Sequence, residues 1–75
     1  MKAEFTAIIE PAPEGGYWAI CPEILGANGQ GETVEEARQN LQEAVELFFE
    51  CASSEEVEER LHQEIYITRM EAILA

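Results

Sequence analysis

The chain has 75 residues and a mass of 8.4 kDa, which is enough for one small domain and excludes a multidomain enzyme. Its 16 acidic residues, all of them Glu, outweigh four basic residues and give a net charge of −12. So few cations cannot neutralise a nucleic-acid backbone, and we expect no direct binding to DNA or RNA. The acidity is explained either by solubility or by a basic protein partner, and composition leaves both open.

The sequence has no uncharged apolar run long enough for a membrane span or a secretion signal. We therefore expect a cytoplasmic protein that does not bind membranes. A domain of this size buries only about 60% of the surface of its unfolded chain. Self-association would add the missing burial, so we expect a homo-oligomer, either a dimer or a tetramer.

The two cysteines and the one histidine form no recognisable site. Cys21 and Cys51 are thirty residues apart, without a Cys-x-x-Cys pair, and we expect both to be small core residues. His62 lies in a Glu-rich stretch, and one imidazole cannot build a His-based triad or metal cluster within a subunit. We expect no cofactor and no catalytic centre.

The first strand and a hairpin are predicted at the start of the chain. Residues 2–10 alternate, so that Phe5 and Ile9 share one face while Ile8 lies on the other. Residues 11–16 contain two prolines and a Gly-Gly pair, which predicts a hairpin connection.

Two further strands follow. Residues 17–21 have apolar side chains on both faces and predict a central strand, and residues 27–30 predict a short, weak third strand after a turn. Gly26, Gly29 and Gly31 could instead indicate a phosphate-binding loop. The turn is favoured, because neither phosphate-loop spacing is present and no lysine is nearby.

A long amphipathic helix is predicted over residues 34–52. Thr33 and Glu36 have the spacing of a capping box at its start. One apolar stripe faces the sheet, while Leu47 and Cys51 lie off it and indicate a contact surface. The predicted core comprises Phe5, Ile9, Leu41, Val45 and Phe48.

The end of the chain predicts a short acidic helix and then a fourth strand. Ser53 and Glu56 have capping-box spacing, and residues 64–69 are β-branched and aromatic. A fourth strand entered after the long helix would run parallel to the first and third strands by a right-handed crossover. The expected fold is α+β, in the order β-β-β-α-β, with one long helix on one face of a small mixed sheet. The other face stays uncovered and predicts an interface.

From about residue 4 to residue 50 the sequence resembles the HicB-like antitoxin family. The resemblance is carried by a strand, a Gly-Gly-Tyr hairpin, a Cys-Pro-Glu strand end and a capped helix in that order. The matching residues are Phe5-Thr6-Ala7, Ile9-Glu10, Glu14-Gly15-Gly16-Tyr17, Cys21-Pro22-Glu23, Gly26, Gly31, Thr33, Glu36-Ala37, Asn40 and Glu43-Ala44.

The resemblance implies a partly degenerate ribonuclease H-like fold and the role of antitoxin in a type II toxin–antitoxin pair. The implied partner is a small basic ribonuclease of the HicA type, whose RNA-binding surface the antitoxin covers. Residues 24–27 depart from the Leu-Pro-Gly-Cys of many relatives. Many longer relatives also continue into a DNA-binding domain, whereas we expect residues 1–75 to form a single HicB-like domain without one.

Two alternatives stay open beside the antitoxin interpretation. The chain could be an orphan regulatory or oligomerisation module without a toxin. More remotely, it could be a metal-dependent nuclease, which needs converging carboxylates; only Glu43, Glu46 and Glu64 could approach one another, and no Asp is present. The residues predicted to form the partner interface are Glu10, Glu14, Tyr17, Trp18, Glu35 and Leu47.

Overall fold

The computed structural model describes residues 3–61 and 64–75, and within these residues three strands are followed by two helices. The strands are β1 (Ile8–Pro11), β2 (Tyr17–Ile20) and β3 (Asn28–Gly31). The helices are α1 (Val34–Cys51) and α2 (Ser54–Leu61). The α+β class is thus confirmed, whereas Lys2, in the predicted first strand, and His62 lie outside the described residues.

The three strands form an antiparallel sheet in the order β1-β2-β3. The predicted hairpin between β1 and β2 is confirmed: the Ala12 N–H donates to the Gly16 carbonyl at 3.0 Å, and the Gly15 N–H donates to the Ala12 carbonyl at 3.0 Å. Gly15 and Gly16 have φ angles of 104° and 72°. These lie in the left-handed region that favours glycine, so the Gly-Gly pair allows the chain to reverse here.

The first strand is shorter than predicted, because β1 begins at Ile8. Residues 3–7 form neither strand nor helix. The backbone N–H of Thr6 donates instead to the carboxylate of Glu23 at 3.1 Å. The Glu23 side chain thus accepts the Thr6 N–H, which the alternating sequence predicts to pair with a neighbouring strand.

The start of α1 is capped as predicted. The Glu36 N–H donates to the Thr33 hydroxyl at 3.1 Å. The Glu36 carboxylate accepts a hydrogen bond from the N–H of Glu32, also at 3.1 Å. Glu32 precedes the cap residue Thr33, whose own N–H is the donor in a standard capping box. Two of the backbone donors near the start of α1 are thereby satisfied.

Helix α1 packs on one face of the sheet, most closely on β3. A Cβ atom placed on Gly29 would lie 2.8 Å from the Ala37 carbonyl oxygen, and one on Gly31 would lie 2.6 Å from the Ala37 nitrogen. Only glycine lets the helix backbone approach the strand so closely. The buried core comprises Ala19, Cys21, Ile24, Ala37, Leu41 and Val45, with Phe5, Ile9, Tyr17, Ala27, Phe48 and Phe49 packed partly buried against it.

Two further expectations are wrong. Residues 64–75 form neither strand nor helix, so the described sheet is purely antiparallel and not the mixed sheet of a β-β-β-α-β fold. A β-prone segment becomes a strand only when a neighbouring strand accepts its hydrogen bonds, and residues 64–69 have no such pairing. Cys51, predicted to be a core residue, is exposed at the last turn of α1, whereas Cys21 is buried. In a separate respect, neither helix of the described residues is long and apolar enough to cross a bilayer.

Candidate functional site

The sheet face that points away from α1 carries apolar side chains. Successive residues of a strand point to opposite faces, so the burial of Ala19 on the α1 side places Trp18 and Ile20 on the other face. In the sheet register Ile8 lies opposite Ile20, and Glu10 lies opposite Trp18. The exposed fractions are 37% for Ile8, 36% for Trp18 and 46% for Ile20. We call these residues, with Glu10, the open face.

The open face confirms that the sheet leaves apolar side chains uncovered. An indole paired across strands with a carboxylate offers an apolar surface beside a negative charge. Such a combination fits a partner that presents an apolar patch next to Lys or Arg. The open face is therefore the strongest candidate for a protein-binding surface.

Of the six residues predicted for the interface, the sheet brings Glu10 and Trp18 together. Tyr17 pairs with Pro11 and Gly31 and packs, half-buried, against the core on the α1 side. Glu14 lies exposed in the turn between β1 and β2.

The two remaining residues lie on α1. Glu35 forms an ion pair with Arg38 one turn later, and the hydrogen bond from the Arg38 side chain lowers the pKa of the Glu35 carboxyl. Leu47 is exposed, away from the buried stripe of the helix. Glu35 and Leu47 thus belong to the helix, whereas Glu10 and Trp18 belong to the uncovered sheet face.

Glu23 is a structural centre that sequence reasoning missed. Its carboxylate accepts the Thr6 hydroxyl at 2.8 Å, the Thr6 N–H at 3.1 Å and the Cys21 thiol at 3.2 Å. Burial of Glu23 favours the neutral acid, but the hydrogen bonds from Thr6 and Cys21 outweigh burial and the pKa of Glu23 is lowered. In the sequence, Glu23 follows Cys-Pro, which signals only the end of a strand.

The pKa of the Cys21 thiol is shifted in the opposite direction to the pKa of Glu23. Burial, followed by the hydrogen bond to Glu23, raises the pKa of the Cys21 thiol. A thiol that stays protonated is a poor nucleophile and a poor metal ligand. Cys21 therefore acts as a small core residue that also donates to Glu23.

Arg38 of α1 and Arg60 of α2 each contact another side chain of the domain. Arg38 is paired with Glu35, and the guanidinium of Arg60 lies 5.8 Å from the ring centroid of Phe48. In residues 3–61 and 64–75, no three His, Cys or Glu side chains are grouped so that they could hold a metal ion.

A groove runs between the segment that precedes β1 and the two helices. It has a volume of 1090 Å³. Its apolar lining comprises Phe5, Leu41, Val45, Phe49, Val57 and Leu61. Its charged lining comprises Glu4, Glu46, Glu50 and Arg38, so the groove is apolar and carries more negative than positive charge at its border.

Comparison with known proteins identifies relatives of about the same size. A UPF0150 protein from Synechocystis sp. is 66% identical over 50 residues, which make up 67% of this chain and 69% of the relative. A second UPF0150 protein from the same organism is 45% identical over 51 residues, covering 68% of this chain and 65% of the relative.

A third relative comes from a different bacterium. A UPF0150 protein from Thermotoga maritima is 44% identical over 52 residues, covering 68% of this chain and 69% of the relative. No family model matches the chain, and no solved structure matches it significantly. With 66% identity over more than two thirds of the first relative's length, the chain belongs to the UPF0150 family.

Proposed function

We propose that this chain is an antitoxin-type binding protein of the HicB-like class, which acts in the cytoplasm and neutralises a small basic ribonuclease of the HicA type. The chain breaks no bond itself. It covers the RNA-binding surface of the ribonuclease and excludes the substrate by occupying that surface. The observation that carries the proposal is the open face, where the exposed Trp18 lies opposite Glu10.

Charge supports a basic partner. The net charge of −12 attracts a cationic protein over a long range and raises its rate of encounter. An RNA-binding surface is rich in Lys and Arg, and carboxylates can occupy the positions that phosphates would take. Glu10 lies opposite Trp18 on the open face, and Glu14 adds an exposed carboxylate in the turn between β1 and β2.

The resemblance to HicB-like antitoxins supports the same class of partner. It rests on the ordered fragments from Phe5 to Ala44. Two of those fragments have structural roles here: Gly15-Gly16 form the hairpin, and Glu23 of the Cys-Pro-Glu fragment accepts hydrogen bonds from Thr6. These fragments support the scaffold on which the open face is displayed.

The test is co-expression with the small basic protein encoded by the adjacent gene. The two proteins are expected to co-purify as a complex, and the complex should not cleave RNA that the basic protein degrades alone. Trp18→Ala and Glu10→Lys should each weaken the complex by about tenfold or more. Glu43→Lys, with the same charge reversal on the exposed side of α1, is the matched control and should have a smaller effect.

Three outcomes would contradict the proposal. A complex unaffected by Trp18→Ala would place the contact elsewhere. Absence of any basic neighbour that binds would favour the orphan module. RNA cleavage by the purified chain, together with a rise in melting temperature in millimolar Mg²⁺, would favour the metal-dependent nuclease.

A further inference from the structure

The last part of the chain leaves the domain with its apolar side chains uncovered. We call residues 66–74 the tail. Among its side chains, Tyr66 is 83%, Met70 is 92% and Leu74 is 88% exposed, and Ile73 is completely exposed. Monomeric proteins rarely expose so many large apolar side chains in one stretch.

The dimensions of the chain agree with a projecting segment. The radius of gyration is 14.4 Å. A compact domain of 75 residues has a radius of gyration of about 11 Å. The longest extent of the molecule is 48 Å and the shortest is 18 Å. The single chain is therefore incomplete as a compact unit.

We infer that the tail of each copy packs into the groove of a second copy, forming a dimer by reciprocal exchange of C-terminal segments. The groove between the segment preceding β1 and the helices is lined by apolar side chains of α1 and α2, among them Val45, Phe49 and Val57. Val45 is buried and Phe49 and Val57 are half-buried in the single chain. An apolar occupant of the groove would complete the burial of Phe49 and Val57, and the tail supplies one.

The position of the groove fits an added strand. It borders residues 3–7, which lead directly into β1, and β1 is an edge strand of the sheet. Helix α1 packs less on β1 than on β2 and β3, which leaves room under the helix on this side. A segment placed in the groove would lie against residues 3–7, next to the start of this edge strand.

The tail starts at the rim of its own groove. Ile65 lines a smaller cavity of 300 Å³ together with Phe5 and Leu61. Phe5 and Leu61 also line the larger groove. In a two-fold dimer, a segment that leaves the rim of one groove can enter the equivalent groove of the partner, and the exchange is then reciprocal.

The length of the tail agrees with its placement in the groove. Nine extended residues span about 30 Å, and the 18 residues of α1 span about 27 Å. The tail is therefore long enough to follow the part of α1 that lines the groove, residues 38–50.

The charge of the tail does not oppose contact with a second copy. Two copies of net charge −12 repel each other. Residues 65–75 contain one basic side chain, Arg69, and one acidic side chain, Glu71, so they add no net side-chain charge. Arg69 would meet a groove whose charged lining comprises three carboxylates, Glu4, Glu46 and Glu50, and one guanidinium, Arg38.

Self-association by the tail does not depend on the proposed antitoxin role, and it is tested on the purified full chain alone. Sedimentation equilibrium should give a mass twice the 8.4 kDa of one chain. The double variant Met70→Ser/Ile73→Ser should raise the dimer dissociation constant by about tenfold or more. Leu25→Ser, an exposed position in the turn between β2 and β3 and outside the groove lining, is the matched control and should leave the dissociation constant unchanged.

A photo-crosslinking residue in place of Met70 identifies what the tail contacts. In a mixture of isotope-labelled and unlabelled chains, cross-links between chains should fall on the groove peptides around Phe49 and Val57. Cross-links confined to one chain would show a tail folded onto its own domain and would overturn the proposal. So would a monomer at all concentrations, a dimer that Met70→Ser/Ile73→Ser leaves intact, or cross-links to the open face.

Discussion

The carboxylate of Glu23 holds the segment before β1 in place by accepting two hydrogen bonds from Thr6, one from its hydroxyl at 2.8 Å and one from its N–H at 3.1 Å. Seventeen residues separate the two in sequence. Because Phe5 packs against Phe49 of α1 at a ring separation of 5.5 Å, this contact also positions one wall of the groove.

Thr6→Val should destabilise the domain. The substitution keeps the size of the side chain but removes the hydroxyl donor, and a hydrogen bond to a charged group contributes about 1–3 kcal/mol. We expect a loss in the lower half of this range, since Glu23 is only half-buried. Urea unfolding followed by circular dichroism measures the change. Glu14→Gln, in the exposed hairpin turn, is the control and should change the free energy of unfolding by less than about 0.5 kcal/mol.

The contribution of Glu23 should depend on pH with a definite sign. Its pKa in the folded protein lies below the ordinary value of 4.5. Its ionised form therefore stabilises the fold above about pH 4.5, and this contribution is lost as the pH falls through the lowered pKa. Titration of the other glutamates changes stability as well, so the wild type is compared with Glu23→Gln. The difference in unfolding free energy should be full at pH 7 and shrink below pH 4.5; a constant difference down to pH 3 would contradict this reading.

The two thiols should differ in reactivity. Cys51 is exposed, whereas Cys21 is buried and its pKa is raised by burial and by Glu23. A disulfide reagent added to the native protein at pH 8 should modify one thiol per chain quickly. Cys51→Ser should abolish the fast phase, and both thiols should react at once in urea. A fast phase that survives Cys51→Ser would show that Cys21 is accessible.

The sequence predicts those elements whose signals are local. The Gly15-Gly16 hairpin and the capping box at Thr33 each depend on a few neighbouring residues, and both are present in the structure. The apolar stripe of α1 depends on helical period alone, so Leu41 and Val45 could be assigned to the core correctly.

The predictions fail where contacts with residues distant in sequence determine the local structure. The alternation of residues 2–10 cannot show that Glu23 will take the N–H of Thr6. The β propensity of residues 64–69 cannot supply a pairing strand. The predicted interface rests on acidic and aromatic residues near the hairpin and the helix start and on the off-stripe Leu47. These features do not reveal that Tyr17 faces α1 while Trp18 faces away from it. The sheet register was needed to separate the two.

Gly29→Ala should be strongly destabilising although it adds only one methyl group. That methyl would lie 2.8 Å from the Ala37 carbonyl oxygen and would also collide with the backbone nitrogen of Leu41, so α1 must move away from β3. Overpacking of this kind costs about 1–3 kcal/mol. Thermal and urea unfolding measure the loss. Gln30→Ala, the next residue on the opposite face of β3, keeps the helix contact and should unfold at nearly the wild-type midpoint.

Leu41→Ala and Leu47→Ala form a matched pair on α1, because the same atoms are removed from the buried and the exposed side of one helix. Leu41 is buried against the sheet, and its truncation should cost about 2–5 kcal/mol. A domain of this length has a total stability of about 4–11 kcal/mol, so Leu41→Ala should remove a large part of the stability and lower the midpoint of urea unfolding. Leu47→Ala should change the free energy of unfolding by less than about 0.5 kcal/mol. A loss at Leu47 comparable to that at Leu41 would show that a second copy of the chain covers the outer side of α1.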